Sequence, residues 1–284
     1  EVNQSMQQVD KPVNRSSFSA TSEFQCRAAR QLADYYAGRP GMMFAEGVVL
    51  NVAQGYELQT AVTQLRCDRG ERTIGYKVGC TSPAIREQLG IDHCVSCRLY
   101  GSEQYPSGVE LPRNGFANLA IEGELAVELA REPEESDFCG CEIPACIARV
   151  FPVIELHNHL MRGEKPSAGE LIANNAIHAG FVAGRGVRPK NALGEPSLSI
   201  FGNGQLLERY VGPALIQTIQ SSLKWLTDVV RDRRDRLSAG QVILTGSIPS
   251  LIPIAEDCGS ESTRQHSEAL KNNSTLQQLS VWNN

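Results

Sequence analysis

Three glutamates lie close together in a short segment in which apolar and polar residues alternate strictly. In Ile121–Leu129 the large apolar residues share one face of a strand, and Glu122, Glu124 and Glu128 share the other. Glu122 and Glu124 are one strand repeat apart, so their carboxylates can bend toward a common point. Neighbouring carboxylates repel each other unless a cation lies between them. A hard divalent ion such as Mg²⁺ fits these oxygen ligands, and a half-buried strand with an acidic outer face is the structural alternative.

Two further charged residues lie in surroundings where an unpaired charge would be costly. Glu155 follows the apolar run 151–154 and would supply a third carboxylate. Lys77 lies between two glycines of a strand-like run, where a ligand can approach the backbone closely. The structural alternatives are a glutamate paired with an arginine such as Arg162 and a snorkelling surface lysine. His157 shares a strand face with Glu155 and would approach the same cleft, although a neutral polar histidine near a strand end is the simpler account.

The elements that must position these residues are helices first and strands later. Apolar spacing and breaker residues predict helices over about 22–38, 58–70, 83–90, 167–177 and 213–230, and strands over 73–79, 121–130, 153–157, 181–183, 197–201, 205–211 and 241–245. This order is typical of an α+β fold. We expect a disordered arm over residues 1–21 and a single domain over 22–284. Its helical part would extend to about residue 115, and its strand-rich part would run from about 116 to 284.

The composition is that of an ordinary globular protein. The 284 residues are 41% hydrophobic and 21% charged, and 27 Lys+Arg against 32 Asp+Glu give a net charge of −5. Because there is no basic excess, we expect no nucleic-acid partner, and no apolar run approaches the roughly 18 residues of a membrane span. The chain shows no apolar signal segment and does not begin with Met. We therefore expect a cytoplasmic protein and keep a processed periplasmic form open.

The nine cysteines support a hypothesis of a different class. An odd number spread over a long chain is unlike a disulfide scaffold, so we expect reduced thiols. Cys94 and Cys97, with Cys139, Cys141 and Cys146, are candidates for a zinc site or a redox pair. Their spacing matches no recognised zinc pattern. Measured zinc content would separate this hypothesis from a Mg²⁺ enzyme.

Five blocks of sequence resemble, in order, the motifs of one family. The blocks are Gly75–Ser82 with Gln88–Asp92, Ile121–Leu125, Val153–Glu155, Asn174–Ala176 and Ile243–Ser247. Together they resemble the 2-keto-4-pentenoate hydratase and 2-oxo acid decarboxylase group of the fumarylacetoacetate hydrolase superfamily. The resemblance covers about residues 22–257, and five ordered blocks are far more specific than any one of them.

The resemblance implies a fold, a metal and an activity. The fold would be α+β, with a helical N-terminal part packed on a mixed β-roll of the fumarylacetoacetate hydrolase type. Glu122, Glu124 and Glu155 would hold Mg²⁺ or Mn²⁺, which a 2-oxo acid substrate would chelate through its carboxylate and 2-oxo oxygen. The activity would be that of a lyase of aromatic catabolism, foremost the hydration of 2-hydroxypenta-2,4-dienoate-type substrates. A homo-oligomer is also implied, because oligomers are common in the family.

The same resemblance assigns roles to further residues. Lys77 would orient the substrate or assist proton transfer, and Asp92, which matches a family aspartate, is kept as a catalytic candidate. The remaining candidates would bind substrate: Asn175 through its amide, and Thr245, Gly246 and Ser247 through hydroxyl and backbone donors to the carboxylate.

Two departures from the family pattern affect the chemistry. Val95 stands where the family has an acid often assigned acid/base work, and Asn174 stands where it has aspartate. A 4-oxalocrotonate-type decarboxylase, which needs less help in activating water, is therefore the alternative. A catalytically impaired member that acts as a partner subunit also stays open. The acylpyruvate hydrolase branch is less favoured, because its third ligand is usually aspartate and here it is Glu155.

Overall fold

The computed structural model describes residues 15–140, 142–158, 166–189, 195–202, 205–247 and 251–254. Its helices are α1 Arg15–Tyr36, α2 Met42–Ala45, α3 Val52–Asp68, α4 Pro83–Leu89, α5 Ala168–Ala173 and α6 Ala214–Asp232. Its strands are β1 Thr73–Gly79, β2 Val95–Tyr100, β3 Gln104–Pro106, β4 Leu119–Leu129, β5 Ile147–Asn158, β6 His178–Ala183, β7 Ser197–Gly202, β8 Gln205–Val211, β9 Val242–Leu244 and β10 Ile252–Pro253. Within the described helices, none is both long and apolar enough to cross a bilayer.

Local sequence signals explain several helix ends. Asn51 precedes α3 and forms a capping box with Gln54, in which each side chain bonds the other's backbone N–H. Pro83 opens α4, and Gly90 closes it in the left-handed conformation that glycine adopts without strain. Helix α1 begins at Arg15, inside the segment 1–21 for which a disordered arm is expected, and that expectation stays a prediction. Residues 15–21 contain no glycine or proline to stop the helix, and the rest of the arm lies outside the described residues.

The described strands form one mixed sheet and one hairpin. The sheet order is β2-β1-β9-β4-β5-β6-β3, with β10 paired to β4, and the hairpin joins β7 and β8. The β1–β9 and β3–β6 pairs are parallel, and the remaining pairs are antiparallel. Strands from both sides of the expected boundary near residue 115 interleave in this sheet, since β1 pairs with β9 and β3 with β6. Residues 203–204, between the expected strands 197–201 and 205–211, lie outside the described part of the chain.

Both faces of the central strand β4 are covered. Leu125, Val127 and Leu129 pack with the apolar face of α6, including Ile219 and Leu223. The opposite face looks toward a cavity whose walls come from α1, α3 and α5. Glu124, on this face, is only 1% exposed. The half-buried strand with a solvated acidic face is therefore the wrong alternative.

We expect Gly75→Ala to destabilise the fold strongly, because β1 and β9 approach each other too closely for a side chain. A Cβ atom at Gly75 would lie 1.8 Å from the carbonyl oxygen of Val242, with which it pairs in the parallel ladder. We expect a loss of about 3 kcal/mol or more in the free energy of unfolding, measured with urea. Gly115→Ala is the control, since nothing lies within 4 Å of its Cβ position. Equal stability of the two variants would contradict the close packing of β1 on β9.

Candidate active site

The antiparallel pair β4–β5 sets the spacing of the acidic residues. Glu122 lies directly opposite Glu155, and the register places Glu124 and His157 one repeat to either side of that row. Side chains opposite each other in register share a face of the sheet. All four side chains therefore lie on the same face of the sheet, where Glu124, Glu155 and His157 are at most 2% exposed, and Glu122, Glu155 and His157 line the cavity.

Lys77 reaches this group from the neighbouring part of the sheet. It pairs in register with Leu244 of β9, which pairs with Ala126 of β4, so it lies on the same face as the glutamates. Its Nζ is 2.7 Å from Oε1 of Glu155 and donates a hydrogen bond to the carbonyl oxygen of Ala176 at 3.3 Å. The lysine is 5% exposed, so the snorkelling surface lysine is the wrong alternative.

The two shortest contacts of the Glu155 carboxylate involve the same oxygen, Oε1. Its Oε1 lies 2.6 Å from Nδ1 of His178 as well as 2.7 Å from Nζ of Lys77. Its Oε2 is buried and has no hydrogen-bond partner among the described residues. Lys77 and His178 thus orient the carboxylate so that its second oxygen is available to a ligand.

His157 completes a compact group with two of the glutamates. Its Nε2 is 3.3 Å from Oε2 of Glu122 and 3.5 Å from Oε2 of Glu155. One ligand atom from each of the three residues lies within 4.8 Å of the other two, and no other described group of histidine, cysteine or acidic residues is as compact. The expected set had Glu124 in the place of His157. The shared strand face was the sequence signal for His157, although it favoured a merely structural histidine.

Glu124 lies beside this group and is engaged differently. Its Oε2 accepts a hydrogen bond from the backbone N–H of Gly246, and its Oε1 is buried without a hydrogen bond to a described residue. Burial, followed by the charge and the carboxyl contact of Glu155, raises the pKa of Glu124 well above its usual range. A nearby cation would therefore stabilise the ionised form of Glu124.

The buried charges shift one another in opposite directions. Burial by itself disfavours the ammonium of Lys77, but the charges of Glu155 and then Glu122 outweigh it and raise the pKa of Lys77. Burial likewise disfavours the ionised form of Glu155, but the charge of Lys77, followed by the contacts of His157 and His178, outweighs it and lowers the pKa of Glu155 well below its usual range. Lys77 is therefore a cation and Glu155 an anion at neutral pH.

The backbone of residues 175–177, after α5, is strained and directs the Ala176 carbonyl oxygen toward Lys77. Asn175, Ala176 and Ile177 have φ values of 54°, 46° and 57°, a left-handed conformation that is costly for residues other than glycine. The Asn175 side chain accepts a hydrogen bond from the N–H of Arg98 and donates one to its carbonyl oxygen, both at 2.8 Å. This strap holds the turn so that the Ala176 carbonyl meets Lys77. Asn175 lines the cavity while its amide bonds the backbone of β2, and its expected role in binding substrate stays a prediction.

The loop after β9 braces β4. The Thr245 hydroxyl donates to the carbonyl oxygen of Leu125 at 2.7 Å, and the Ser247 hydroxyl donates to that of Gly123 at 3.3 Å. Gly246 and Ser247 line the cavity, whereas Thr245 does not. Thr245 therefore fixes the strand that carries the glutamates, and its expected role as a substrate ligand is not supported by its position.

The other expected catalytic residue lies elsewhere. The Asp92 side chain is 97% exposed, and the residue does not line the cavity, so the structure does not bring it to the site. Val95 is fully buried in an apolar cluster with Cys97, Ile172 and Ala176. Position 95, where the family pattern has an acid, is therefore part of the apolar core in this chain.

The cysteine hypothesis finds no support in the described residues. The seven cysteines that the structure describes are all free thiols. None belongs to the compact group of potential metal ligands within the described ranges. Burial raises the pKa of the Cys97 thiol to about 12, which disfavours the thiolate that zinc or redox chemistry requires. Cys141 lies outside the described residues.

The cavity above these side chains has a volume of about 570 Å³. Its polar floor is formed by Lys77, Glu122, Glu155 and His157, and its upper walls include Leu32, Val62, Ile85 and Leu89. The other cationic side chain among its described lining residues is Arg66. Arg66 is paired with Glu71 and with Glu103, each at 2.6 Å, and its guanidinium lies 3.5 Å from the ring centre of Tyr100.

Known proteins share this sequence pattern and this fold. A 2-keto-4-pentenoate hydratase of Burkholderia vietnamiensis is 28% identical over 201 residues, which are 70% of this chain and 77% of that protein. A 2-hydroxyhexa-2,4-dienoate hydratase of Comamonas testosteroni is 27% identical over 233 residues, which are 81% of this chain and 85% of that protein. The chain is a divergent homologue of these enzymes. No family model matches it.

A solved structure supports the fold independently. The 4-oxalocrotonate decarboxylase from Pseudomonas putida G7, complexed with magnesium and adipate, superposes with a TM-score of 0.70 over 87% of this chain and 92% of that one. The expected α+β fold is confirmed, and the chain shares the fold of that decarboxylase. At 21% identity this likeness concerns the fold. The roles of individual residues rest on the geometry of this chain.

Proposed function

We propose that this protein is a divalent-metal-dependent lyase that hydrates 2-hydroxypenta-2,4-dienoate-type acids. The observation that carries the proposal is the buried row Glu122–Glu155, flanked by Glu124 and joined to Lys77, at the floor of a cavity large enough for such an acid. The named hydratases and decarboxylases that this chain resembles support the same class of substrate.

The residues present fit a divalent ion, Mg²⁺ or Mn²⁺. Glu124 Oε1 and Glu155 Oε2 are buried acceptors without a hydrogen bond to a described residue, and such oxygens are costly unless a cation or a donor meets them. We assign Glu122, Glu124 and Glu155 to hold the ion. When bound, the ion supplies a Lewis acid for the carboxylate and 2-oxo oxygens of the substrate.

The chain itself supplies the proton carrier and the enclosure. Lys77 is held as an ammonium between Glu155 and the Ala176 carbonyl, so it can place a proton on the dienol carbon chain. The proton released from the 2-hydroxyl as the keto form is reached restores the ammonium. The apolar upper walls exclude bulk water and suit an uncharged carbon tail. Gly246 and Ser247 at the cavity lining hold β4 in place below the substrate.

The charges around the cavity favour hydration of a monocarboxylate over decarboxylation of 4-oxalocrotonate. The second carboxylate of a hexenedioate would need its own cation. Among the described lining residues the cations are Lys77 and Arg66, and each is already paired with a glutamate. Decarboxylation stays the second candidate, because the superposed solved structure is that of a decarboxylase and because Val95 removes an acid from the expected hydratase pattern.

An assay with two substrates tests the proposal. The full chain would be incubated with 2-hydroxypenta-2,4-dienoate or 2-oxo-hexenedioate, with and without Mg²⁺ or Mn²⁺, while dienol absorbance and CO₂ are followed together. We expect metal-dependent loss of the dienol without CO₂. Stoichiometric CO₂ release would establish the decarboxylase instead, and no reaction with either substrate despite ion binding would favour a non-catalytic subunit.

We expect Glu124→Gln to weaken divalent-ion binding by at least tenfold and to retain the fold. The variant loses a carboxylate charge, whereas its side-chain oxygen can still accept the Gly246 N–H. Calorimetric titration with Mg²⁺, beside a melting curve, measures both properties. Glu128→Gln on the same strand is the control, because Glu128 is paired with Arg149 away from the group. Unchanged Mg²⁺ affinity in Glu124→Gln would remove Glu124 from the ligand set.

The expected homo-oligomer and the cytoplasmic location stay predictions. Light scattering after gel filtration measures the first of them directly. The described residues contain no membrane-crossing helix, and this finding does not test the expected cytoplasmic location.

A further inference from the structure

We propose that His157 is a nitrogen ligand of the metal, so that this site prefers Mn²⁺ and later first-row ions over Mg²⁺. The inference rests on the metal site assigned above and changes its chemistry from all-oxygen to mixed nitrogen and oxygen. It concerns a residue that the family motifs quoted for the glutamates do not include.

The position of the imidazole carries the proposal. His157 is 2% exposed, and neither ring nitrogen has a hydrogen-bond partner among the described residues. A buried imidazole whose nitrogens make no hydrogen bond is costly, so such groups are nearly always bonded to something. The Nε2 atom points at the glutamates, 3.3 Å from Glu122 and 3.5 Å from Glu155.

The separations of the three donors suit a single ion. Ligand atoms that each lie about 2.0–2.2 Å from one metal are at most about 4.4 Å apart. The two measured pairs that involve His157 fall inside this limit, and the whole group lies within 4.8 Å. The histidine can therefore bind an ion shared with Glu122 and Glu155 after only a small adjustment.

The surroundings of Glu155 point to the same ion position. Lys77 and His178 both occupy its Oε1, and Oε2 is the oxygen that lies near His157. A cation at Oε2 is thus separated from the ammonium of Lys77 by the carboxylate itself. Glu122 closes the group from the opposite strand at the partly exposed side that faces the cavity.

The donor set determines which metal is favoured. Mg²⁺ prefers oxygen donors in nearly ideal octahedral geometry, whereas a site with a nitrogen donor binds first-row ions with an affinity that rises from Mn²⁺ towards Cu²⁺. One histidine in the set therefore lowers affinity for Mg²⁺ relative to the first-row ions. An aspartate at this position would restore an all-oxygen site.

Pulsed electron paramagnetic resonance on the Mn²⁺-loaded full chain tests the ligand directly. We expect the echo modulation of a directly bound imidazole ¹⁴N, and we expect it to change to the ¹⁵N pattern when only the histidines are ¹⁵N-labelled. This labelling needs no mutation and is independent of folding. Modulation that lacks a histidine nitrogen would overturn the proposal.

Two variants extend the test to metal preference. His157→Asn should lose the nitrogen signal, and His157→Asp should lower the ratio of Mn²⁺ to Mg²⁺ affinity, measured by calorimetry, by about tenfold. His93→Asn is the control, because the His93 side chain is 42% exposed and lies beside Asp92. A nitrogen signal that persists in both His157 variants, or an unchanged affinity ratio in His157→Asp, would overturn the assignment.

The outcomes separate this inference from the proposed function. A histidine-nitrogen signal without turnover of either dienoate would support His157 as a ligand and refute the lyase. Metal-dependent turnover without that signal would support the lyase and refute His157 as a ligand. Failure of Mn²⁺ to bind at all would overturn both.

Discussion

Replacing Lys77 by methionine is expected to lower kcat by about 10²–10⁴-fold while divalent-ion binding is retained. Lys77 is the buried cation that touches Glu155, and a positioned proton carrier contributes a factor of this size. Methionine has a similar length and no charge, so the apolar part of the side chain still fills its place between β9 and β2. Steady-state kinetics on the dienoate and calorimetric titration of Mg²⁺ measure the two effects separately.

Lys224→Met provides the matched control. Lys224 is an exposed lysine of α6 that pairs with Glu135 at the surface, and its loss is expected to change neither property. A Lys77→Met variant with full activity would take Lys77 out of the mechanism. A variant that loses the ion together with the activity would make Lys77 a support for the metal site and leave the proton step to another group.

Glu155→Gln is expected to have the largest combined effect on ion binding and stability. The change removes the carboxylate that is shared by Lys77, His178 and the assigned ion. It leaves the Lys77 ammonium buried without its anion, and breaking a buried pair in this way costs about 3–5 kcal/mol. We expect that loss in the free energy of unfolding at pH 7 without metal, together with at least a 100-fold loss of Mg²⁺ affinity.

Glu128→Gln is again the control for this experiment, now for stability. Glu128 bonds Arg149 at 2.6 Å with a side chain that is 31% exposed, so its loss should cost less than about 1 kcal/mol. Urea unfolding of the two variants in the presence of a chelator gives the comparison. If Glu155→Gln were as stable as Glu128→Gln, the buried Lys77–Glu155 pair would not hold the two strands together.

Strict alternation in the sequence was sufficient to predict which residues face the site. The period of two in β4 placed Glu122 and Glu124 on one face, and the costly position of Glu155 in an apolar run identified it as a third carboxylate. The register of β4 against β5 is then fixed by the pattern, because a slip of one residue would move the glutamates to the face that packs on α6. The lysine was identified as a candidate for the same reason, since an isolated charge between glycines of a strand needs a partner.

Other parts of the site depend on contacts that no local pattern contains. The sequence does not show that Asn175 bonds the backbone of Arg98, because that bond joins a strained turn to a strand far away in the chain. The exposure of Asp92 and the position of Thr245 likewise depend on the conformation of the loops between α4 and β2 and after β9. Parallel pairing of β1 with β9 was also not predicted, since neither strand carries a signal for a partner so distant in sequence.

That parallel pairing has a consequence for how the protein is made. Residues of β1 leave the ribosome early, while their partners in β9 follow only near the end of the described chain, and β9 lies between β1 and β4 in the sheet. Lys77 and Glu155 therefore cannot be brought together in this sheet until β9 has been synthesised. Until then the edge of β1 and an unneutralised set of carboxylates stay exposed, as is usual for sheets closed by distant strands. Nascent chains stalled before residue 242 should accordingly lack both the ion site and a closed sheet.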